Sequence, residues 1–237
     1  MKTYAIGDLH GRLDLLEQAL MTAAKHCGDE GFTFVVCGDF IDRGPDSAGI
    51  IRTLRHLQET MNIIVLMGNH ENMMLSCLSG ENRLGWWVGN GGGTTLQSYG
   101  YAEGDTLIPL KIPEGDLRWL AELPIYHLDE HRAFVHAGFD SSQPIELQNP
   151  QHMMWMRAPR EQDYSFEGRH VVHGHEQYAD GPVLNPNKSN LDTFAWASGR
   201  LAIAVFDDAI PGGPTEVLWA EGEPSPQWAE WSKEEYA

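Results

Sequence analysis

Three short apolar runs in the first third of the chain each end in glycine and polar residues and then lead into a segment with helical periodicity. The runs are TYAIGDLHG, FTFVVCGDFIDRG and NIIVLMGNHE, and the segments after them are RLDLLEQALMTAAKHC, DSAGIIRTLRHLQET and NMMLSCL. Leu16, Leu20 and Ala23 fall on one face of the first segment, and Ile50 and Leu54 on one face of the second. A strand, a polar turn and a helix in threefold repetition predict an α/β sheet with helices packed on it.

The second half of the chain has strand-like runs with little helical pattern between them. These runs are AFVHAG, RHVVHGH and RLAIAVFDD, and they predict a second sheet packed on the first. Residues 80–118 include GWWVGNGGGTTLQSYGY, whose glycines and aromatics predict a loop-rich insertion near the site. Residues 208–237 predict an acidic C-terminal tail. Since no linker divides the chain, we expect a single domain over residues 1–237.

The charge of the chain excludes some classes of partner. Acidic residues outnumber basic ones 34 to 16, which gives a formal net charge of -18. Non-specific binding to nucleic acid or to an anionic membrane needs the opposite balance. An anionic substrate stays possible, because bound divalent cations reverse the local sign of a site.

Cysteine usage and hydropathy predict a cytoplasmic protein. The three cysteines form no CxxC motif and are odd in number, which favours reduced thiols over a disulfide framework. The N-terminus already has the pattern of a strand and a turn, so we expect no signal peptide. No apolar stretch approaches the ~20 residues that a membrane-spanning helix needs.

The polar ends of the apolar runs carry the side chains that transition metals prefer. They are Asp8, His10, Asp39, Asp42, Asn69, His70, His136 and His175. The open end of an α/β sheet normally holds ligands, and carboxylate, imidazole and amide donors together suit Mn, Fe or Zn better than Ca or Mg. The set is too large for one ion. Two metal ions roughly 3.5–4 Å apart that share a carboxylate would use it.

Each of these motifs has a simpler structural explanation when taken alone. A GD pair after a strand is an ordinary turn, a lone histidine such as His136 is more often a core residue, and Asn69 could cap a helix. The ordered occurrence of all five motifs favours a metal centre. His173 is the exception, because a core or supporting histidine explains it better than a metal ligand.

The same motifs resemble those of a known family. GDLHG, GDFIDRG and GNHE resemble the three signature blocks of the phosphoprotein phosphatase branch of the calcineurin-like metallophosphoesterases, and VHAG and VHGH resemble its later histidine blocks. WWVGNGGGTTLQSYG and MMWMR resemble segments of the bacterial and phage members. The resemblance extends from Tyr4 to about Asp207. It implies a β-sandwich flanked by helices in α-β-β-α layers, with a dinuclear metal site at the strand ends.

The resemblance also implies the ligands of two divalent ions, for which Mn is the best candidate and Fe and Zn are possible. Asp8 and His10 would hold the first ion. Asp39 would bridge both ions, and the second would be completed by Asn69, His136 and His175.

Four further residues take roles in catalysis by the same resemblance. His70 would be the general acid for the leaving group, and Asp42 would fix its orientation and tautomer. Arg43 would bind phosphoryl oxygens as a fork, and Arg157 would be a second phosphate-binding arginine.

Two departures from the family pattern leave the substrate open. Many protein phosphatases of the family read RGNHE, where the arginine grips the phosphate, but Met67 stands in that place here. The last histidine block often reads GHTP, whereas this chain reads GHEQ. The related symmetrical dinucleoside tetraphosphate hydrolases also lack the arginine, but they usually read GNHD, and this chain has Glu71.

Three hypotheses about function therefore remain. The first is a metal-dependent phosphatase acting on phosphomonoesters, including phosphoserine and phosphothreonine in proteins. The second is a hydrolase of dinucleoside polyphosphates of the Ap4A type, or a phosphodiesterase, using the same two metals. The third is a non-catalytic metal-binding module, which predicts a missing ligand or acid, and the sequence has neither gap. The expected partner is a phosphorylated protein or a small phosphoester or nucleotide.

Overall fold

The computed structural model describes residues 1–80, 84–102, 111–226 and 228. Its first third confirms the predicted alternation of strands and helices. The elements are β1 (Lys2–Ile6), α1 (Leu13–Cys27), β2 (Phe32–Val36), α2 (Ser47–Leu57), β3 (Ile63–Val65) and α3 (Asn69–Leu78). The three strands are parallel, with β1 paired to β2 and β2 to β3. Their carboxyl ends therefore lie along one edge of the sheet.

Two strands from the end of the chain complete this first sheet. They are β10 (Arg200–Asp207) and β11 (Glu216–Glu221), and the strand order is β11-β10-β1-β2-β3. The prediction that RLAIAVFDD belongs to the second sheet is wrong, because β10 pairs antiparallel with β1. β10 is buried on both faces along most of its length, as a strand inside a covered sheet must be. The prediction of an acidic tail over 208–237 is wrong in part, because Glu216–Glu221 form β11 and pair antiparallel with β10.

The second sheet is built from six short strands. They are β4 (Tyr126–Leu128), β5 (Arg132–Val135), β6 (Ser165–Phe166), β7 (Arg169–His173), β8 (Val183–Leu184) and β9 (Lys188–Asn190). Their order is β4-β5-β7-β9-β8, and β6 pairs antiparallel with Arg169 and His170 at the start of β7. β5, β7 and β9 are parallel, so this sheet also presents three carboxyl ends side by side.

The alternation of side chains along β1 shows how the layers pack. Tyr4 and Ile6 point to the core beneath the helices, and Ala5 points to the core between the two sheets, where it joins Phe134 and Phe206. Two further helices, α6 (Glu114–Ala121) and α7 (Pro150–Trp155), cover the first and the second sheet respectively. The four layers confirm the predicted fold class, a β-sandwich flanked by helices.

The segment predicted as a loop-rich insertion over residues 80–118 is helical at residues 84–98. α4 (Leu84–Trp87), a π-helical turn at Val88–Gly92 and α5 (Gly93–Ser98) follow one another directly. Gly91 adopts a φ of +107°, and a Cβ on Gly92 would collide with the Trp87 indole. The glycines that predicted a loop instead allow a compact turn around a buried tryptophan. Residues 81–83 and 103–110 of this insertion, and 227 and 229–237 of the tail, lie outside the described residues.

A short helix, α8 (Ala195–Ser198), precedes β10. Across the parts of the chain that the structure describes, no helix has both the length and the apolar composition needed to cross a bilayer.

Candidate metal centre

The predicted site residues meet at the carboxyl ends of five strands. Three of these strands belong to the first sheet and two to the second. Asp8 and His10 follow β1, and Asp39 and Asp42 follow β2. Asn69 and His70 open α3 after β3, His136 follows β5, and His175 follows β7. A polar cavity of 380 Å³ lies between these loops, lined by residues that include Asp8, Asp39 and His175. The sequence predicted ligand binding at the carboxyl ends of the strands, and a cavity lies there.

Asp39 lies at the centre of the histidines. Its Oδ2 is 3.3 Å from Nε2 of His136, 3.8 Å from Nε2 of His70 and 3.9 Å from Nε2 of His10. Two groups of donor atoms, each within 4.8 Å of one another, share this carboxylate. One group is His10, Asp39 and His70, and the other is Asp39, His136 and His175. This is the position that a bridging carboxylate requires, and the individual ligand roles stay predictions.

The histidine tautomers fit metal binding. Nδ1 of His10 donates to the Ile41 carbonyl at 2.8 Å, and Nδ1 of His136 donates to the Cys37 carbonyl at 2.9 Å. With a proton fixed on Nδ1 of each ring, Nε2 is the nitrogen that faces Asp39 and that would bind a metal ion. Histidine ligands in metalloproteins are commonly oriented by such a backbone carbonyl.

The orientation of the Asn69 amide also fits a cation. Its oxygen lies 2.8 Å from Nε2 of His136 and 3.0 Å from Oδ2 of Asp39. If the amide is turned by 180°, its nitrogen donates to the same two atoms at these distances. With its oxygen on this side, Asn69 would instead offer a ligand to a metal ion beside Asp39.

The site concentrates buried charge. Burial and the neighbouring Asp192 raise the pKa of Asp8 well above its usual range. Burial opposes a charged His136, but the Asp39 carboxylate prevails and raises the pKa of that imidazole to about 10. Burial and His136 together lower the pKa of His175 to about 3. Because carboxylates crowd together here, divalent cations would stabilise their ionised forms, and the donor set fits two transition-metal ions.

Backbone conformation sets the site apart from the rest of the chain. Among the described residues, seven that are not glycine have a positive φ, and five of these are candidate site residues: His10, Asp39, Asp42, Arg43 and His175. This left-handed conformation is unfavourable for residues with a Cβ. Strain of this kind clusters at functional sites, where the surrounding structure holds it.

Glu71 holds two of the loops in place. Its Oε1 accepts from the backbone N–H groups of Phe40 and Ile41, and its Oε2 accepts from those of Asp39 and Gly68. The side chain is fully buried in the first turn of α3. One carboxylate thus fixes the loop that carries Asp39 to the helix start that carries His70. The motif GNHE contains this residue, but its function as a joint between loops depends on the tertiary structure.

His70 belongs to a second buried network. Its Nδ1 donates to Oδ2 of Asp42 at 2.7 Å, so Nε2 faces the cavity. Asp42 in turn accepts from the Trp87 indole at 3.0 Å and from the Thr95 hydroxyl at 2.7 Å. The segment from 84 to 98 therefore supplies the side chains that fix Asp42. Sequence reasoning missed Trp87 and Thr95, because their partner lies about fifty residues earlier in the chain.

The cavity has an arginine on each side. Nη1 of Arg43 lies 2.8 Å from Nε2 of His10, and Nη2 lies 3.3 Å from Nε2 of His70. Arg157 is exposed and also lines the cavity. Arg160 does not line it, because it pairs with Asp180 at 2.8 Å and lies over the Tyr178 ring. Arg43 and Arg157 both line the cavity, and their phosphate-binding roles stay predictions.

The structure adds one acidic residue and explains one histidine. Asp192 follows β9, the sixth parallel strand, and its buried carboxyl acts electrostatically on Asp8. No sequence signal pointed to Asp192, because the short KSN strand before it has no apolar run. His173 is buried at the end of β7 and donates from Nδ1 to the Gly174 carbonyl at 2.9 Å. It lies in neither group of candidate metal donors, as a core histidine would.

Comparison with known proteins identifies the family. Residues 1–197 match the calcineurin-like phosphoesterase family, and the chain belongs to it. The phosphoesterase family is dinuclear-metal dependent, and the two donor groups that share Asp39 could bind metal.

Two curated relatives have the same printed function. The symmetrical bis(5'-nucleosyl)-tetraphosphatase of Nitrosomonas europaea is 29% identical over 153 residues, which cover 62% of this chain and 48% of the relative. The enzyme of that name from Escherichia coli is 30% identical over 143 residues, which cover 58% of this chain and 44% of the relative. The chain thus matches about half the length of these relatives.

Solved structures show the same fold. A protein assigned as a diadenosine tetraphosphatase superposes with a TM-score of 0.66 at 21% identity, covering 94% of this chain and 95% of that one. A serine/threonine phosphatase of Saccharomyces cerevisiae superposes with a TM-score of 0.56 at 17% identity, covering 95% of this chain and 81% of that one. At these identities the likeness supports the fold alone.

We expect Glu71→Gln to loosen the metal centre. A glutamine replaces one carboxylate oxygen with an NH2 group, so two buried backbone N–H groups lose their acceptor. The free energy of unfolding should fall by about 2–4 kcal/mol, and calorimetric titration should show weaker Mn binding. The control is Glu59→Gln, whose side chain is 70% exposed. Unchanged stability and Mn affinity in Glu71→Gln would show that the loops hold without this carboxylate.

We expect activity to require divalent metal and to depend on Asp39. Chelator treatment should abolish phosphoester hydrolysis, and Mn should restore it best, because the donors are mixed nitrogen and oxygen. Asp39→Asn should lower kcat by ~10²-fold or more, since changes even to residues that support metal ligands cost 10–100-fold. Full activity of stripped protein in excess chelator would contradict the two-metal hypothesis.

Proposed function

We propose that this chain hydrolyses dinucleoside polyphosphates. In the proposed reaction, one Ap4A reacts with one water to give two molecules of ADP. The sequence made a protein phosphatase the first hypothesis and this reaction the alternative. The two curated relatives named above carry the symmetrical tetraphosphatase name, which favours the alternative. The choice of manganese, the cytoplasmic location and the roles of single residues stay predictions.

One observation carries the choice of substrate. The Met67 side chain is 8% exposed and packs in the core beneath the helices, and its N–H donates to the Pro124 carbonyl. It does not line the cavity, so this position offers no charge to a phosphate and could not simply be replaced by arginine. Among the described residues, only Arg43 and Arg157 supply basic side chains other than histidine to the cavity wall.

A cavity with only these two arginines suits a phosphoanhydride better than a phosphomonoester. A phosphomonoester concentrates two negative charges on one phosphoryl group, whereas each inner phosphate of a polyphosphate carries one. A charge-assisted hydrogen bond is worth ~1.5–3 kcal/mol, so a missing arginine fork weakens a monoester more. Arg43 and Arg157 could each hold a different phosphate of a chain that crosses the cavity.

The side chains have separate tasks in the proposed reaction. Two divalent ions would supply Lewis-acid chemistry at the phosphoryl group, held by Asp8, His10, Asp39, Asn69, His136 and His175. The Arg43 fork binds phosphoryl oxygens. A water oxygen attacks phosphorus, the bond from phosphorus to the bridging oxygen breaks, and the proton lost by the water passes to solvent. His70 donates the proton from Nε2 to that oxygen, while Asp42 holds the opposite ring nitrogen.

A substrate panel tests the proposal. We expect Mn-loaded protein to hydrolyse Ap4A with a higher kcat/KM than a phosphoserine peptide or bis(p-nitrophenyl) phosphate, and chromatography should show ADP as the product. A phosphopeptide preferred over Ap4A would restore the protein phosphatase hypothesis. Preference for the diester would favour a phosphodiesterase. AMP and ATP as products would contradict symmetrical cleavage.

His70 and its supporting network predict a dependence on the leaving group. His70→Asn should lower kcat by ~10²–10⁴ on a phosphoserine peptide, the usual contribution of a general acid. The loss should be smaller on p-nitrophenyl phosphate, whose leaving group needs little protonation. Trp87→Phe removes the indole donor to Asp42 but keeps an aromatic ring, so it should cause a weaker loss with the same order of substrates. Equal losses on good and poor leaving groups would assign His70 another role.

A further inference from the structure

A second cavity opens on the other side of Arg43. It has a volume of 720 Å³, within the range of ~300–1,000 Å³ that small-molecule sites occupy. Its wall is formed by the start of α1, the loop after Arg43, Trp196 of α8, and the residues Glu223, Ser225 and Pro226. Of the residues that the structure describes, only Arg43 lines both this cavity and the metal cavity. The two cavities are therefore neighbours that share one guanidinium.

The guanidinium of Arg43 lies between the metal centre and Trp196. On one side, its nitrogens are 2.8 Å from His10 and 3.3 Å from His70. On the other side, its Cζ is 5.8 Å from the centre of the Trp196 ring. A dinucleotide whose α-phosphate binds Arg43 would thus place its nucleoside beside the half-buried indole and its next phosphate at the metal centre, where symmetrical cleavage occurs.

The charges of the second cavity exclude another phosphate. Arg12 donates to both carboxylate oxygens of Asp14 at 2.7 and 2.8 Å, so its charge is neutralised. Glu17 and Glu223 are exposed on the same wall. Carboxylates repel phosphate but accept hydrogen bonds from hydroxyl and amino groups. The cavity suits an uncharged group with such donors and a flat ring.

We infer that this cavity is a nucleoside subsite, with the base stacked on Trp196 and the sugar hydroxyls directed to the rim carboxylates. The inference rests on the proposed function and specifies where one end of the dinucleotide binds. Stacking on an aromatic side chain tolerates any base, because every base has a π-face. Discrimination between adenine and other bases would come from the carboxylates.

A basic side chain of a phosphopeptide is the rival occupant. Glu17 and Glu223 would attract it, and an arginine could also stack on the indole. The comparison with nucleotide hydrolases favours the nucleoside. The experiment therefore includes a phosphopeptide with an arginine beside phosphoserine.

The first measurement isolates the base. AMP and ribose 5-phosphate share a sugar and a phosphate and differ by the adenine, and both can be titrated as inhibitors of p-nitrophenyl phosphate hydrolysis by Mn-loaded protein. We expect AMP to bind roughly 5- to 150-fold more tightly, the range that stacking of one base supports. Trp196→Leu should reduce this ratio to about twofold or less, and Trp196→Phe should restore part of it.

Trp219→Leu is the matched control. Trp219 is a half-buried tryptophan on β11 that does not line the cavity, so its loss should leave the ratio unchanged. Melting temperatures of all variants show whether each is folded. A wild-type ratio near one, or a ratio in Trp196→Leu equal to that of the wild type, would overturn the subsite.

The substrate measurements separate failure of the subsite from failure of the proposed function. With Ap4A, Trp196→Leu should raise KM several-fold more than with p-nitrophenyl phosphate. Hydrolysis of Ap4A that is insensitive to Trp196 would refute the subsite and keep the function. A preference of the wild type for the phosphopeptide would refute the function. A loss in Trp196→Leu confined to the arginine-containing phosphopeptide would assign the cavity to peptides and overturn the inference.

Discussion

The carboxylate of Glu71 accepts hydrogen bonds from four buried backbone N–H groups, and the geometry of the metal centre depends on them. The donors belong to two loops that follow neighbouring strands of the first sheet. Without a common acceptor, those N–H groups would be buried and unsatisfied, at a cost of about 1–3 kcal/mol each. The same contacts set where Asp39 and His70 stand. Stability and chemistry are therefore coupled at this residue.

The metal centre next to Glu71 contains several buried carboxyl groups. Asp8, Asp39 and Asp192 lie in an environment where desolvation penalises their ionised forms. Opposing histidine charges offset this penalty at Asp39, whereas the charge of Asp192 adds to it at Asp8. The three carboxyl groups stand in the turns after β1, β2 and β9. Bound divalent cations would stabilise their ionised forms.

The helical segment at residues 84–98 supports the proposed acid and forms part of the cavity wall. Trp87 and Thr95 reach Asp42 from the segment that separates the two halves of the fold. Trp86 of this segment stacks on Trp155 of α7, with ring centres 5.8 Å apart, and Trp155 lines the metal cavity. The segment is therefore part of the site wall as well as a support for the proposed acid. On the opposite side, Arg43 connects the metal cavity to the acidic, aromatic cavity that contains Trp196.

The sequence by itself determined the parts of this protein that local pattern controls. Three apolar runs followed by amphipathic segments were enough to predict three βα units, and the polar residue after each run marked Asp8, Asp39 and Asn69 as site candidates. Hydrophobic periodicity is local, and a ligand directly after a parallel strand has only one edge of the sheet to occupy. The family motifs lie in these same local stretches.

Tertiary structure decided everything that joins distant parts of the chain. It placed β10 beside β1, turned the glycine-rich segment at 84–98 into helices around Trp87, and packed Met67 away from the cavity. It also revealed Asp192 after a strand without an apolar run. Such partners depend on which strands pair and on which side chains share a buried layer. These are long-range packing choices, and spacing along one sequence does not encode them in a form that local pattern can reveal.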